Sequence, residues 1–412
     1  MRTILSFLVA FILSASGFAS DLALVHAKIY PSPEAVPIED GTILVHDGRI
    51  KAVGPSSKIK VHSSKTITVL DCHGLVITAG FWNSHVHILT PGLLHADKRS
   101  SQELSSQLEE MFTRWGFTTV FDIASVLSNT NNIRQRIASG ELRGPRILTV
   151  GEPFYPKGGT PVYVKGFLEE QHIPSAEVAS PKQAAARERQ ELHDKADGAK
   201  IFAGAITEHG VLPMPLDIAK AIVKEAHHAG KPVFAHPSNQ EGLEIAIQSG
   251  VDVLAHTAPM SGDWSPAFID RLKAAHMALI PTLTLFDVEA KKARVSAEEN
   301  ELWIKQAVQE LKAFSSAGGQ ILFGTDIGYT DHYDTAEEFT LMARAGMNFQ
   351  QILASLTTNP ANRFGYSSRS GSIAQGKDAD VVILNGDPAK NITNFAKVRQ
   401  VIQDGKVIYT AR

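Results

Sequence analysis

Residues 81–92 read FWNSHVHILTPG, an apolar run that ends in His85 and His87 with a single residue between them. In a β-strand, alternate side chains point to the same face, so these two imidazoles would lie side by side at the end of the strand. Two imidazoles in that arrangement can share a metal ion, but two exposed surface histidines have the same spacing. The rest of the chain has to distinguish these readings.

Seven more short apolar segments follow, with helical patterns between them. They are TTVFDIA (118–124), RILTVG (146–151), GAKIFAG (198–204), PVFAH (232–236), VDVLAHT (251–257), ALIPTLT (278–284) and ILFGTD (321–326). The clearest helix is PLDIAKAIVKEAHHAGK, in which Ile218, Ile222 and Ala226 fall on one stripe and Gly230 follows the end. Eight strands that alternate with helices predict an α/β fold with a (β/α)₈ TIM-like barrel. A doubly wound open sheet is the alternative, but the chain has no glycine-rich phosphate loop.

The two ends of the chain share a β-hairpin pattern. TILVHDGRIKAVG (42–54) and VRQVIQDGKVIYTA (398–411) each place an Asp-Gly turn between two strands. They predict one small β-sandwich domain built from residues 20–79 plus 368–412, with the catalytic barrel, residues 80–367, inserted between them. Two separate β caps are the alternative.

The N-terminus has the order of a secretory signal peptide. Arg2 precedes an apolar stretch and then small residues, which predicts residues 1–19 as the signal, with cleavage after Ala19. The alternative is a membrane anchor, but the apolar stretch is shorter than the ~20 residues that a span needs. We therefore expect a secreted or periplasmic protein that is free of the membrane after cleavage.

Composition excludes several classes of partner and site. The 412 residues carry a formal net charge of −3, which gives no electrostatic footprint for nucleic acid. Cys72 is the single cysteine, so neither an internal disulfide nor a cysteine-based zinc site can form. A metal ion would have to bind histidine, carboxylate or a less usual ligand.

Metal-ligand and catalytic residue types recur at the ends of the predicted strands. They are His85, His87, Lys200, His236, His256 and Asp326. Barrel enzymes keep their active sites at the C-terminal ends of the strands, so these side chains would converge on one mouth. Taken singly, each has a structural alternative: a buried hydrogen-bonded histidine, a helix N-cap aspartate, or a salt-bridged core lysine.

The motifs GFWNSHVHI, GAKIFAG, VFAH, LAHT and FGTDIG occur in this order, and GSIAQGKDADVVIL follows them. In these motifs and their order, the chain resembles the metal-dependent amidohydrolase superfamily. Within it, the chain is most similar to the imidazolonepropionase-like and prolidase-like branch. The resemblance covers nearly the whole chain after the signal. One departure is Asn83, where that superfamily often has an acidic residue; we expect Asn83 to support the site without binding metal.

The resemblance implies a role for each residue of the site. His85 and His87 would hold one zinc ion with Asp326, and His236 and His256 would hold a second. Lys200 would bridge the two ions as a carbamate. A hydroxide between the ions would be the nucleophile, and Asp326 would act as general base and then general acid.

The leading hypothesis is a hydrolase that cleaves the C–N bond of an amide, a dipeptide or an N-acyl amino acid. A mononuclear cyclic-amide hydrolase or deaminase is a second hypothesis, and a catalytically silent binding barrel is a third. The partner expected is a small-molecule amide or peptide, and the resemblance allows a homo-oligomer. Tyr163, His209, Arg344 and the loop 332–334 are candidates for the substrate pocket, although each is equally typical of a protein surface.

Overall fold

The computed structural model describes residues 21–61 and 67–412. The predicted signal peptide, residues 1–19, and its cleavage site lie outside these ranges and stay predictions. Within the described ranges, none of the helices combines the length and the apolar character that crossing a bilayer requires.

The described residues form twenty strands. In chain order they are β1 Asp21–Ile29, β2 Ile38–His46, β3 Arg49–Pro55, β4 Ile67–Asp71, β5 Val76–Ala79, β6 Phe81–Val86, β7 Phe117–Asp122, β8 Arg146–Thr149, β9 Tyr155–Pro156, β10 Glu177–Val178, β11 Ala199–Phe202, β12 Gly204–Thr207, β13 Gly210–Pro213, β14 Val233–His236, β15 Val253–Leu254, β16 Ala278–Leu279, β17 Gln320–Ile321, β18 Val381–Leu384, β19 Val398–Gln403 and β20 Lys406–Thr410.

The same residues contain twelve α-helices. They are α1 Ser101–Met111, α2 Leu127–Ala138, α3 Val162–Glu170, α4 Pro181–His193, α5 Leu216–His228, α6 Gln240–Ser249, α7 Pro266–Ala274, α8 Leu283–Ala293, α9 Ala297–Ser316, α10 Ala336–Arg344, α11 Phe349–Leu356 and α12 Thr358–Arg363. The helix predicted from the stripe around Ile222 corresponds to α5, and Gly230 follows its end with a φ of 67°.

Strands from both ends of the chain meet in one sheet. Its order is β20-β19-β18-β5-β1-β2-β3, and β4 also pairs with β1. Both predicted hairpins are present, and their turn residues Asp47-Gly48 and Asp404-Gly405 all have positive φ, as type I′ turns require. The sheet differs from the predicted sandwich in that its eight described strands are joined by hydrogen bonds into one sheet instead of two.

The segments predicted as barrel strands pair in parallel. They form a three-stranded sheet, β6-β7-β8, and a five-stranded sheet, β11-β14-β15-β16-β17. Two isolated parallel bridges lie between segments next to these sheets. Phe154, which follows β8, pairs with Ile201 of β11, and Val86 of β6 pairs with Ile327, which follows β17. Thr282 to Thr284, which were predicted as the end of the seventh strand, instead lead into α8.

The space between these strands is filled with apolar side chains. The cluster takes one or more residues from most of the strands, among them Trp82, Phe121, Leu148, Phe234 and Val253. Phe364 and Tyr366, which follow α12, pack against Trp82. This apolar cluster lies among the parallel strands whose ends carry the polar residues described below.

Two glycines allow the eighth segment to approach the first. A Cβ at Gly324 would lie 2.3 Å from Ile280 Cγ2 and 2.8 Å from His85 Cβ. A Cβ at Gly328, whose φ is 102°, would lie 1.8 Å from the carbonyl oxygen of His87. Any larger residue at either position would push the segment that carries Asp326 away from the histidine pair.

Arg146 at the start of β8 connects the barrel strands to the sheet of the chain ends. Its guanidinium lies 3.2 Å from Asp380, 3.5 Å from Asp378 and 3.6 Å from Asp404. Burial raises the pKa of Asp380 to about 6, although the nearby Arg146 opposes the shift. The interface therefore depends on a partly buried cation between several carboxylates.

Two buried carboxylates lie next to each other on α4, away from the strand ends. Neither oxygen of Glu188 has a hydrogen-bond partner among the described residues, and one oxygen of Glu191 also lacks one. Burial raises the pKa of Glu188 to about 9, and the charge of Glu191 adds to the shift. The folded protein thus holds a proton on Glu188 that the unfolded chain releases at much lower pH.

We predict that Glu188→Gln makes stability less dependent on pH. The stability contributed by a protonated Glu188 is fully present below the ordinary pKa of a glutamate. It is lost as the pH rises toward the folded-state value of about 9. The melting temperature of the variant should therefore exceed that of the wild type at pH 8–9 and match it near pH 5. Exposed Glu169→Gln is the control, and a difference that is equal at both pH values would contradict the prediction.

Candidate active site

The carboxylate of Asp326 lies at the centre of a group of histidines. Its Oδ1 is 2.8 Å from His87 Nε2 and 3.3 Å from His85 Nε2, and its Oδ2 is 3.8 Å from His256 Nε2. Asp326 and His85 are fully buried, and His87 is 12% exposed at its side chain. The first, sixth and eighth predicted strands therefore bring their polar ends together at one point.

The local backbone explains how Asp326 reaches this position. Its φ of 60° lies in the left-handed region, and its amide donates to the carbonyl of His85 at 2.9 Å. Asn83 joins the same two strands, since its Nδ2 donates to Thr325 Oγ1 at 2.7 Å and its Oδ1 accepts from the amide of His85. Asn83 thus bonds to the protein framework, as the sequence led us to expect.

His236 and Lys200 extend the site away from the first pair of histidines. The ring centroid of His236 lies 4.8 Å from that of His256, and the ring of Phe202 stacks on His236 with a centroid distance of 4.7 Å. The side chain of Lys200 is buried, and its Nζ lies 5.7 Å from the centroid of Phe202. Among the described residues, no carboxylate forms a salt bridge with it.

Burial determines the charge of these groups. It lowers the pKa of His85 to about 4, that of His236 to about 3 and that of Lys200 to about 7, while Asp326 opposes each shift. Burial would raise the pKa of Asp326, but His85 and His87 beside it hold that pKa well below its usual range. These shifts favour an ionised Asp326, neutral His85 and His236 rings, and a Lys200 amine that is partly uncharged near pH 7.

The donor atoms fit a divalent cation. His87 Nδ1 donates to the carbonyl of Ala124 at 2.9 Å, so the Nε2 of a neutral His87 ring would direct a lone pair at Asp326 Oδ1. Two acceptor atoms 2.8 Å apart repel each other unless a cation or a proton lies between them. Among the described residues, Asp326 Oδ1, both ring nitrogens of His85 and His236 Nε2 have no hydrogen-bond partner. Buried nitrogen and carboxylate lone pairs of this kind are typical of a zinc site.

All six predicted site residues lie at this end of the strands, but they are not equally close. The ligand atoms of His85, His87 and Asp326 all lie within 4.8 Å of one another, which makes this trio the tightest group. His256 contacts the trio through Asp326 and His85, whereas His236 and Lys200 lie beyond it.

Of the residues predicted to line the substrate pocket, some lie close to the histidine cluster and others lie on the protein surface. Tyr163 on α3 lies beside the site, with its ring centroid 6.5 Å from His236 and 5.4 Å from Tyr329. His209 is exposed in the turn between β12 and β13. Arg344 pairs with Glu301 at 2.9 Å, and residues 332–334 are exposed or half-buried.

Sequence reasoning missed several residues that contact the site. Phe202 lies two positions after Lys200 on β11, so strand alternation places both side chains on one face and could have revealed it. Tyr329 donates to Glu289 at 2.7 Å, and its ring lies 3.9 Å from Lys292 Nζ. Thr282, which contacts His256 at 2.7 Å, has no signal in the sequence, because the contact depends on a turn between strand and helix.

Comparisons with known proteins identify the family of this chain. The profile of the amidohydrolase family matches residues 76–408. An imidazolonepropionase from Clostridium tetani is 22% identical over 415 residues, covering 90% of this chain and 91% of that protein. An adenine deaminase from Chelativorans sp. is 22% identical over 415 residues, covering 95% of this chain and 59% of its own length.

Solved structures share the fold. The crystal structure of a Xaa-Pro dipeptidase with methionine bound in its active site superposes with a TM-score of 0.80. The match covers 95% of this chain and all of that chain at 22% identity. The match of the family profile, over most of the length of the protein, shows that this chain belongs to the amidohydrolase family of hydrolases that act on carbon–nitrogen bonds.

Proposed function

We propose that this protein hydrolyses the C–N bond of a dipeptide, an N-acyl amino acid or a similar small amide with two bound zinc ions. The observation that carries the proposal is the position of Asp326, whose carboxylate has three histidines within 3.8 Å in a buried site. An ionised carboxylate among imidazoles is suited to bind a metal ion and to move protons. The catalytically silent alternative required the loss of one of these residues, and all are present.

The proposal includes a closed (β/α)₈ barrel. The backbone hydrogen bonds at the two seams support it. At one seam the backbone amide of Phe154 donates to the carbonyl of Lys200 at 2.7 Å. At the other seam the amide of Ser84 donates to the carbonyl of Phe323, and the amide of His87 donates to the carbonyl of Ile327, each at 2.7 Å. A barrel closed at these points directs all eight strand ends toward the same mouth.

The six residues would divide between two ions. His85, His87 and Asp326 would hold one, His236 and His256 the other, and Lys200 would bridge them. When bound, the ions would supply positive charge that lowers the pKa of a water molecule and polarises the carbonyl of the substrate.

Lys200 is suited to become a carbamate. Its neutral amine attacks carbon dioxide, a C–N bond forms, one proton leaves the nitrogen, and the product carries a carboxylate. Burial favours this reaction because it lowers the pKa of the amine to about 7, which makes the neutral form available. The product replaces a costly buried cation by an anion with two ligand oxygens.

Asp326 would move the proton of the reaction. Its Oδ1 faces His85 and His87, while its Oδ2 is 3.8 Å from His256 and is the less crowded oxygen. Oδ2 would accept a proton from the attacking water and deliver it to the nitrogen of the leaving amine. Phe202, Tyr163 and Tyr329 would form an aromatic wall that excludes bulk water from this transfer.

A mononuclear cyclic-amide hydrolase or deaminase is the second candidate. The observation that favours it is that only His85, His87 and Asp326, among the described residues, have ligand atoms all within 4.8 Å of one another. Similarity to an imidazolonepropionase and an adenine deaminase supports the same reading. In this case a single ion would bind to the trio and Lys200 would stay unmodified.

We predict that the wild-type protein, prepared with zinc and carbon-13 bicarbonate, shows a carbamate signal in its carbon-13 NMR spectrum. The signal should be missing from Lys200→Ala, since the buried amine is then gone. Lys220→Ala, an exposed lysine on α5, is the matched control and should keep the signal. A wild-type spectrum without a carbamate signal would favour the mononuclear candidate.

We predict that Asp326→Asn lowers kcat by about 10²–10⁴-fold, the usual contribution of general acid–base catalysis. The assay follows release of the free amine from a panel of dipeptides and N-acyl amino acids. Asp331→Asn, an exposed aspartate in the loop after the eighth strand, should leave kcat unchanged. If a lactam or a nucleobase is converted and every linear amide is inert, the proposed substrate class is wrong.

A further inference from the structure

Thr282 has a strained backbone next to the proposed metal site. Its φ of 44° and ψ of 52° lie in the left-handed region, which β-branched residues rarely adopt. It follows the seventh strand and directly precedes α8, and its side chain is fully buried. Strain of this kind persists only where the surrounding structure holds the residue in place, and it is concentrated at functional sites.

The hydroxyl of Thr282 is not used as a helix cap. A threonine at this position ordinarily accepts a hydrogen bond from an amide in the first turn, but here it makes no such bond. Its Oγ1 instead lies 2.7 Å from His256 Nδ1 and 2.9 Å from the carbonyl oxygen of Pro281. The strained conformation thus turns the hydroxyl toward the histidine.

This arrangement determines which nitrogen of His256 carries the hydrogen. A carbonyl oxygen can only accept, so the single hydroxyl hydrogen of Thr282 goes to Pro281. Oγ1 must then accept a hydrogen from His256 Nδ1. Nε2 of His256 is left with a free lone pair on the side of Asp326 Oδ2, 3.8 Å away.

Glu338 holds the turn in this shape. It lies on α10 and is 1% exposed, and its carboxylate accepts from the amides of Leu283 and Thr284 at 2.9 and 2.8 Å. The hydroxyl of Thr284 donates to it as well, at 3.0 Å. A carboxylate from a distant helix therefore caps the N-terminus of α8, and this frees the side chain of Thr282 for His256.

We propose that Thr282, held in its left-handed conformation by Glu338, is a positioning residue that keeps His256 in the tautomer able to bind metal through Nε2. This inference rests on the proposed function, because it assumes that His256 is a metal ligand. A partner of this kind, which fixes the ring and the tautomer of a ligating histidine, typically changes metal affinity by about 10–100-fold.

The first test determines the tautomer of His256 in the full mature chain, after bound metal has been removed with a chelator. Long-range nitrogen-15 NMR correlations, assigned with His256→Asn, should show the hydrogen of His256 on Nδ1 in the wild type. Thr282→Ser retains the hydroxyl and should give the same spectrum, whereas Thr282→Val should give a mixture of tautomers or hydrogen on Nε2. Hydrogen on Nε2 in the wild type would overturn the inference, even if Thr282→Val failed to fold.

The second test measures zinc affinity by competition with a chelator. Thr282→Val should bind zinc about 10–100-fold more weakly than the wild type, and Thr282→Ser should recover most of the loss. Thr410→Val is the matched control, since it removes the hydroxyl of an exposed threonine on β20 that bonds to Gln400, and its affinity should stay unchanged. Equal affinity of Thr282→Val and wild type would refute the inference, whereas a wild type that binds no zinc would refute the proposed function itself.

Discussion

The site depends on the contact between the eighth and the first strand of the barrel region. There the amide of Asp326 bonds to the carbonyl of His85, and its carboxylate comes to lie between two imidazoles. Gly324 and Gly328 are required for this approach, because a Cβ at either position would collide with His85 or with the backbone of His87. An ionised carboxylate at this depth is costly to bury, so the site gains stability when positive charge joins it.

Backbone strain surrounds the same point. Asp326, Thr282 and Ser238 all have positive φ, and each lies within five residues of the end of a parallel strand. Non-glycine residues in this conformation cost of order 1–3 kcal/mol each, so the fold must compensate for them elsewhere. The apolar interior, with Trp82 and Phe234 among its largest members, is the natural source of that compensation. Close packing beneath the strand ends also fixes the positions of the candidate ligand atoms, and a metal site requires such fixed positions.

The sequence predicted the elements whose signals are local. The parallel strands coincide with short apolar runs of the sequence. The side chains of His85, His87, Lys200, His236, His256 and Asp326 stand within or just after such runs, and this position predicted that they lie near one another. The association of β-hairpins from both chain ends was also predictable, because each end carries an Asp-Gly hairpin turn. The predicted sandwich was wrong, since the eight described strands form one sheet.

Features that depend on contacts between distant parts of the chain could not be predicted in this way. Thr282 to Thr284 have the β-branched composition of a strand, yet α8 starts there because Glu338, more than fifty residues later, caps its first turn. The hydrogen bond between His256 Nδ1 and Thr282 Oγ1 follows from the same distant contact. The division of the barrel strands into hydrogen-bonded sheets of three and five likewise depends on tertiary geometry that no local pattern records.

The most direct test of the account is the metal content of the purified protein. The mature chain, produced with zinc and bicarbonate, would be analysed by mass spectrometry for zinc per chain, beside Lys200→Ala and the exposed control Lys220→Ala. We expect close to two zinc ions per chain in the wild type and in the control, falling toward one or none in Lys200→Ala. One zinc ion per chain in both the wild type and Lys200→Ala would contradict the bridged site. A wild type that contains no metal would contradict the proposal that Asp326 and the histidines bind metal.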